Sequence, residues 1–213
     1  MNTAPGPQRP LQLAILTGFV VATVLMAIAA SLYPGGSLFD PTSVGFVWSR
    51  NFICNLFEKT AFNGEPNPGR VWALVGIAFH SIAEGLFFLR MARVIHHRHT
   101  QLVLRIVGFG NIAFNFMIAT PYHDAMVVIS STLSLLGLFY ITVFVLRSRL
   151  HLLKVCCVLG MLLFYFTLFL YGVGDWSMLA VMQKVTLIVS TLLVLALTWF
   201  TRAEDFVKRV NAA

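Results

Sequence analysis

Residues 125–146 read Ala-Met-Val-Val-Ile-Ser-Ser-Thr-Leu-Ser-Leu-Leu-Gly-Leu-Phe-Tyr-Ile-Thr-Val-Phe-Val-Leu, without one charged side chain. As a helix rising about 1.5 Å per residue, such a run is about 30 Å long, the thickness of a bilayer's hydrocarbon core. It ends abruptly at Arg147-Ser148-Arg149, and another apolar run, Leu152–Gly172, begins at once. Working outward, further runs lie at Leu11–Tyr33, Val71–Arg90, Leu102–Tyr122 and Met178–Phe200. They are continuously apolar rather than alternating, which selects helices over a membrane β-barrel. The expected fold is therefore all-α: a polytopic membrane protein forming one six-transmembrane-helix bundle over residues 1–213.

Composition agrees. The chain is 58% hydrophobic and only 11% charged, with a mean hydropathy of +0.83. A soluble domain carries about a quarter charged residues, so too few are available here for a water-facing surface. The formal net charge of +7 would point to nucleic acid in a soluble protein. Its cations instead sit in short runs between apolar spans, where orientation signals belong, and no nucleic-acid partner is expected.

Those cations also orient the chain. With six crossings, Arg9, Arg90, Arg93, Arg98, Arg105, Arg147, Arg149, Lys154, Arg202, Lys208 and Arg209 share one side. Only Arg50, Lys59 and Arg70 lie opposite, all in one connection. The positive-inside rule then places both termini in the cytoplasm, with a cell (inner) membrane as the location. The first span ends in Met26-Ala27-Ile28-Ala29-Ala30, a signal-peptidase-like pattern, but its apolar part exceeds the 7–15 residues of a signal peptide. A retained helix is expected.

The one long connection, residues 34–70, falls outside. Tyr33-Pro34-Gly35-Gly36 and Asn63-Gly64 are turn formers, while Phe46, Trp48, Phe52, Ile53, Leu56 and Phe57 supply apolar surface. A folded lid over the outer end of the bundle is expected, with Tyr33, Trp48, Arg50, Asn51, Asn55 and Glu58 as its candidate functional residues. Cys54 lies alone in this loop and Cys156-Cys157 within a span, so no structural disulfide is expected.

The Tyr33-Pro34-Gly35-Gly36 turn, the segment Asn51-Phe52-Ile53-Cys54-Asn55-Leu56 and the Asn63-Gly64 turn resemble a bacterial membrane family known as domain of unknown function nine-nine-eight. Its members carry Tyr-Pro-Gly-Gly after helix one, an Asn-x-x-Ser/Cys-Asp-Leu segment, and Asn-Gly before helix two. The resemblance implies a bacterial six-helix membrane protein. That family is distantly similar to Frag/DRAM-type proteins, implicated in lipid-anchor handling and autophagic processes, and more remotely to ceramidase-like hydrolases. Asn55 stands where the family has aspartate, which removes a carboxylate that a metal or acid role would use.

Polar residues within the spans define the candidate ligand pocket. His80 and Glu84 share a helix face, as do Asn111 and Asn115; Gln183 and Lys184 interrupt the last span, and Ser130, Ser131 and Ser134 cluster in the fourth. A charge at mid-bilayer costs about 2.5–3.5 kcal/mol on insertion scales, so these groups should face the bundle interior. Helical rise puts His80, Asn115 and Lys184 on one level about 10–13 Å down, with Glu84 about a turn deeper and within reach of Lys184. The short outer connections add His123, Asp124 and Asp175. They read either as acid–base groups or as ordinary turn and cap residues. On the inner side, His96-His97-Arg98-His99 with Arg90, Arg93 and Arg105 reads as a contact for anionic lipid.

No catalytic fingerprint is present, no metal or cofactor is expected, and whether the chain is an enzyme stays open. The reading adopted is an outward-facing polar pocket that binds or handles a lipid or amphiphile, with membrane lipids as partners. Two alternatives stand beside it. One is a membrane-embedded metal-dependent lipid hydrolase using His80, His123, Asp124 and Asp175; the other is an accessory subunit bound to another membrane protein.

Overall fold

In the computed structural model, which describes residues 8–206, the chain is all-α. Six helices follow one another: α1 (Gln8–Ser31), α2 (Arg70–Val94), α3 (Arg98–Met117), α4 (His123–Leu146), α5 (His151–Val173) and α6 (Trp176–Phe200). Five of them, all but α3, are long and apolar enough to cross a membrane. Their outward surfaces carry large exposed apolar side chains such as Leu152, Leu162, Ile188 and Phe200. A helix apolar on its exposed face as well as its buried one belongs in lipid, and this is a multi-pass membrane protein.

Each expected span forms a helix, but the boundaries move for identifiable reasons. The first stops at Ser31 rather than Tyr33, because Pro34 biases the preceding residue toward extended backbone. The third starts early and ends early. His97 caps its start, the ring Nδ1 accepting from the Thr100 amide at 3.4 Å, and Pro121 prevents any continuation toward Tyr122. Over its length α3 carries Arg98, His99, Gln101, Arg105, Asn111 and Asn115, and so is the most polar of the six. Lys208 and Arg209 lie outside the described residues.

Consecutive helices pack side by side, and α2 lies between α1 and α3 along much of its length. The approach of α2 to α3 is backbone-close. A Cβ placed on Gly85 would stand 2.6 Å from the Gly108 carbonyl oxygen and 2.3 Å from Ile112 Cγ1. Small residues that admit such contact are a principal source of helix association in lipid, where apolar surface alone supplies none.

Two apolar cores result. The larger lies toward the basic end of the bundle and contains Ile15, Phe19, Phe87, Phe88, Met91, Leu104, Ile141, Val145, Leu193 and Leu197. The smaller lies at the loop end: Ala29, Ala30 and Tyr33 of the α1 terminus meet Leu56, Phe57 and Ala61 of the loop and Ala73 of α2. The Ala29-Ala30 pair, read from sequence as part of a signal-peptidase-like pattern, is thus where the loop seats on α1.

Arg90 departs from its expected place. It does not belong to the lipid-facing basic cluster: it is 1% exposed, the largest of the fully buried side chains. Its Nη2 donates to the Thr201 carbonyl at 2.8 Å and its Nη1 to Thr201 Oγ1 at 3.3 Å, tying α2 to the end of α6. The neighbouring histidines also have structural duties, since His99 Nε2 shares a 2.8 Å hydrogen bond with Tyr140 on α4.

Candidate functional site

The connection between α1 and α2 is folded, and asparagines hold it. Asn51 is fully buried; its Oδ1 accepts from the Val47 amide at 2.9 Å and its Nδ2 donates to the Gly36 carbonyl at 2.7 Å. Asn55 Oδ1 accepts from the Phe52 amide at 2.7 Å, capping the 3-10 turn Ile53–Phe57. An aspartate would offer the same oxygen, so Asn55 serves the fold without a carboxylate. Asn67 Nδ2 donates to the carbonyls of Leu56 and Glu58, both at 3.1 Å. Gly36 has φ +79, and a Cβ there would meet the Asn63 amide nitrogen at 2.4 Å, so the Pro-Gly-Gly turn needs its glycine.

The remaining loop candidates are peripheral. Tyr33 is buried, its hydroxyl accepts from the Phe62 amide at 3.3 Å, and burial pushes its phenol above the ordinary value. Arg50 pairs with Asp40 at 3.2 Å. Trp48 is exposed and packs edge-on against Phe46, while Glu58 is exposed. Together with Ala27, Ala30, Ser31, Val44 and Gly45, Phe46 and Trp48 line an open crevice of about 370 Å³ between α1 and the loop.

Two residues of α6 pin this loop. Gln183 Oε1 accepts from the Ile53 amide at 2.9 Å. Lys184 Nζ donates to the Asn51 carbonyl at 2.6 Å and to the Ala180 carbonyl one turn back. Lys184, expected within reach of Glu84, is thus bonded to carbonyls and not directly to that carboxylate. A lysine's long stem carries its ammonium toward the helix end, and the carbonyls there are the nearer acceptors.

Glu84 has a different set of partners, drawn from three helices. Its Oε1 accepts from Ser134 Oγ of α4 at 2.8 Å and from Asn111 Nδ2 of α3 at 3.5 Å. Its Oε2 accepts from Asn115 Nδ2 at 2.6 Å, and His80 Nε2 stands 3.9 Å away on the preceding turn of α2. Asn111 also donates to Ser134 Oγ at 2.8 Å, and its own Oδ1 is buried without a hydrogen-bond partner among the described residues. Asn115 thus meets Glu84. Helical rise counted from the expected end at Tyr122 does not apply to it, because α3 stops at Met117 and residues 118–122 form turns. Glu84 and His80 side chains remain 17% and 19% exposed, so the cluster is not sealed.

The expected pocket therefore divides into separate groups. His80, Glu84 and Asn115 come together, joined by Asn111 and Ser134. Gln183 and Lys184 serve the lid. His123 Nδ1 and Asp124 Oδ1 are bonded at 2.9 Å at the start of α4, and Asp175 caps α6 by accepting from the Met178 amide at 3.1 Å. Cys54 is a free, half-buried thiol. Among the described residues no group of three or more His, Cys, Asp or Glu side chains is placed to hold a metal ion. No protein-family model, curated protein or solved structure matches the chain.

Proposed function

We propose that this is a six-span membrane protein that binds an amphiphile, whose headgroup is received by the His80–Glu84–Asn115 cluster beneath the loop. The single observation that carries this reading is the partner set of Glu84. A carboxylate within an apolar bundle is surrounded by amides, a hydroxyl and an imidazole, with no arginine or lysine bonded to it among the described residues. The cluster is rich in acceptors, since Glu84 brings two oxygens and Asn111 Oδ1 has none of its capacity used. Lys184, the nearest lysine in the sequence pattern, is occupied by carbonyls. A ligand suited to this balance brings donors, a hydroxyl or an ammonium, rather than phosphate alone.

The same contacts support six crossings. A helix of 20 residues spans about 30 Å, and the two asparagines of α3 are satisfied by Glu84 and Ser134 within the bundle. With α3 spanning, most of the cations gather at one end, and the loop, with Arg50, Lys59 and Arg70, lies at the other. We assign the basic end and both termini to the cytoplasm and the loop to the outside of a bacterial inner membrane. The turns at Tyr33–Gly36 and Asn63–Gly64 support membership of the family of unknown function named above.

Photoreactive lipids test the site. Analogues of diacylglycerol and phosphatidylethanolamine, with the reactive group beside the headgroup, should label peptides containing residues 80–84 or 111–115, and Glu84→Gln should suppress that labelling. Labelling confined to outward residues such as Phe109 and Leu162, or stronger capture of a phosphatidylglycerol analogue, would overturn the reading. A stable second membrane protein in the same preparation would favour the accessory-subunit alternative.

A further inference from the structure

The exposed face of α1 runs through Leu13, Thr17, Val20, Val24, Ala27 and Ser31, at helical spacings of three and four. Because α1 packs chiefly on α2 and touches α6 lightly, this face looks out of the bundle into lipid. Its last two members, Ala27 and Ser31, form one wall of the crevice whose other wall is Val44, Gly45, Phe46 and Trp48 of the loop. The lipid-facing side of α1 therefore continues without a break into that crevice. With 24 residues α1 is about 36 Å long, against about 30 Å of hydrocarbon, so its last turn falls at the border with the headgroups. The loop wall is rigidly framed. The Gly36 amide donates to the Ser43 carbonyl at 2.7 Å and the Gly45 amide to the Pro34 carbonyl at 3.1 Å, clamping the chain on both sides of Val44. The rings of Tyr33, Phe46 and Trp48 meet edge-on in succession, with centroids 5.8 and 5.0 Å apart, leading from a buried tyrosine to an open tryptophan. This frame leaves Val44 91% and Trp48 57% exposed. The two side chains offer about 250 Å² or somewhat more, short of the about 800 Å² per partner of a stable protein interface. Entry into a leaflet needs only a few such groups.

We propose that this crevice is a seat for lipid of the leaflet on the loop side, with Val44 and Trp48 as the anchors that bed the loop in that leaflet. An acyl chain lying on α1 meets Val24 and Val20, and the ester region of the same lipid reaches the crevice at Ala27 and Ser31. The indole of Trp48 presents an apolar body to the chain, and its N–H suits the ester and phosphate oxygens at the border. The loop is then held from within by Gln183 and Lys184 and from without by lipid. This seat shares no residue with the Glu84 cluster and stands apart from it.

The full chain in phosphatidylcholine vesicles provides the test. Trp72→Phe, Trp176→Phe and Trp199→Phe, all at exposed positions, leave Trp48 as the sole tryptophan. Its emission should be quenched several times more by phosphatidylcholine brominated beside the ester than by the same lipid brominated at the chain end, and little by iodide in the buffer. Quenching chiefly by iodide would place Trp48 in water and overturn the proposal, and strongest quenching from the chain end would overturn its position at the border. Shielding from bromine and iodide alike would show a second copy or another protein on this surface, and would overturn it equally. Val44→Cys gives an independent reading, spin-labelled in a chain whose native cysteines are replaced by alanine. The label should collide more with dissolved oxygen than with a water-soluble nickel chelate, and the same label at exposed Glu65 should show the reverse. A water-like ranking at Val44 would overturn the proposal whether or not the tryptophan variant folds.

Discussion

The two ends of the bundle are each closed by a buried cation on backbone carbonyls, yet they close different things. At the basic end Arg90 inserts a planar fork between α2 and the end of α6, meeting both the carbonyl and the hydroxyl of Thr201, above a dense core of Phe87, Met91, Ile95 and Leu197. At the loop end Lys184 offers a point charge to Asn51 and Ala180, and what it fastens is a loop. Beneath Arg90 lies hydrocarbon; beneath the loop lies the carboxylate layer of Glu84. The difference teaches that a buried charge need not mark a site. Both cations hold structure, and the anion between them, Glu84, has among the described residues only neutral donors and one histidine around it.

If this contrast is right, breaking the two ends should not cost the same. Arg90→Ala should be the most damaging change, removing about 3 kcal/mol through a cavity in the core and orphaned Thr201 acceptors, read as a lowered unfolding midpoint in detergent. Gly85→Leu, midway between the ends, should cost about 2 kcal/mol by forcing α2 from α3; it should also separate Glu84 from Asn115, visible as lost lipid retention. Lys184→Met should cost only about 1 kcal/mol globally, while making loop sites such as Lys59 markedly more susceptible to trypsin. Equal losses from Arg90→Ala and Lys184→Met would erase the distinction between the ends. The smallest effect belongs to Asp40, at the loop rim. The Thr42 hydroxyl and amide, with the Arg50 charge adding to them, hold its carboxyl below the usual 3.8. The stability it lends is present above that value and is lost as pH falls through the lower native one, so the Thr42 amide should lose hydrogen-exchange protection only in strong acid.

The fold was largely legible because lipid imposes a simple rule: an uncharged run long enough to cross must be a helix, and the flanking cations mark its ends. Residues 125–146 needed no more than that. The candidate site was legible in part. Spacing put His80 with Glu84 and Asn111 with Asn115, since i, i+4 is a property of a single helix. What spacing could not supply was relative depth between helices. With α3 ending at Met117, helical rise from Tyr122 no longer gives the place of Asn115, which meets Glu84, and the lysine stem carries the Lys184 ammonium to the Asn51 and Ala180 carbonyls instead. The anchoring of the loop was illegible for the same reason: Gln183 and Lys184 of α6 meet the Ile53 amide and the Asn51 carbonyl across more than a hundred residues of sequence.

The central claim is that Glu84 and its neighbours receive a donor-bearing headgroup. A native mass spectrum of the purified chain beside its Glu84→Gln variant tests it most directly. The wild type should retain one amphiphile carrying a hydroxyl or amine, and the variant, folded to a comparable melting temperature, should release it. Retention of the same amphiphile by Glu84→Gln, or a wild-type protein that carries none, would contradict the account.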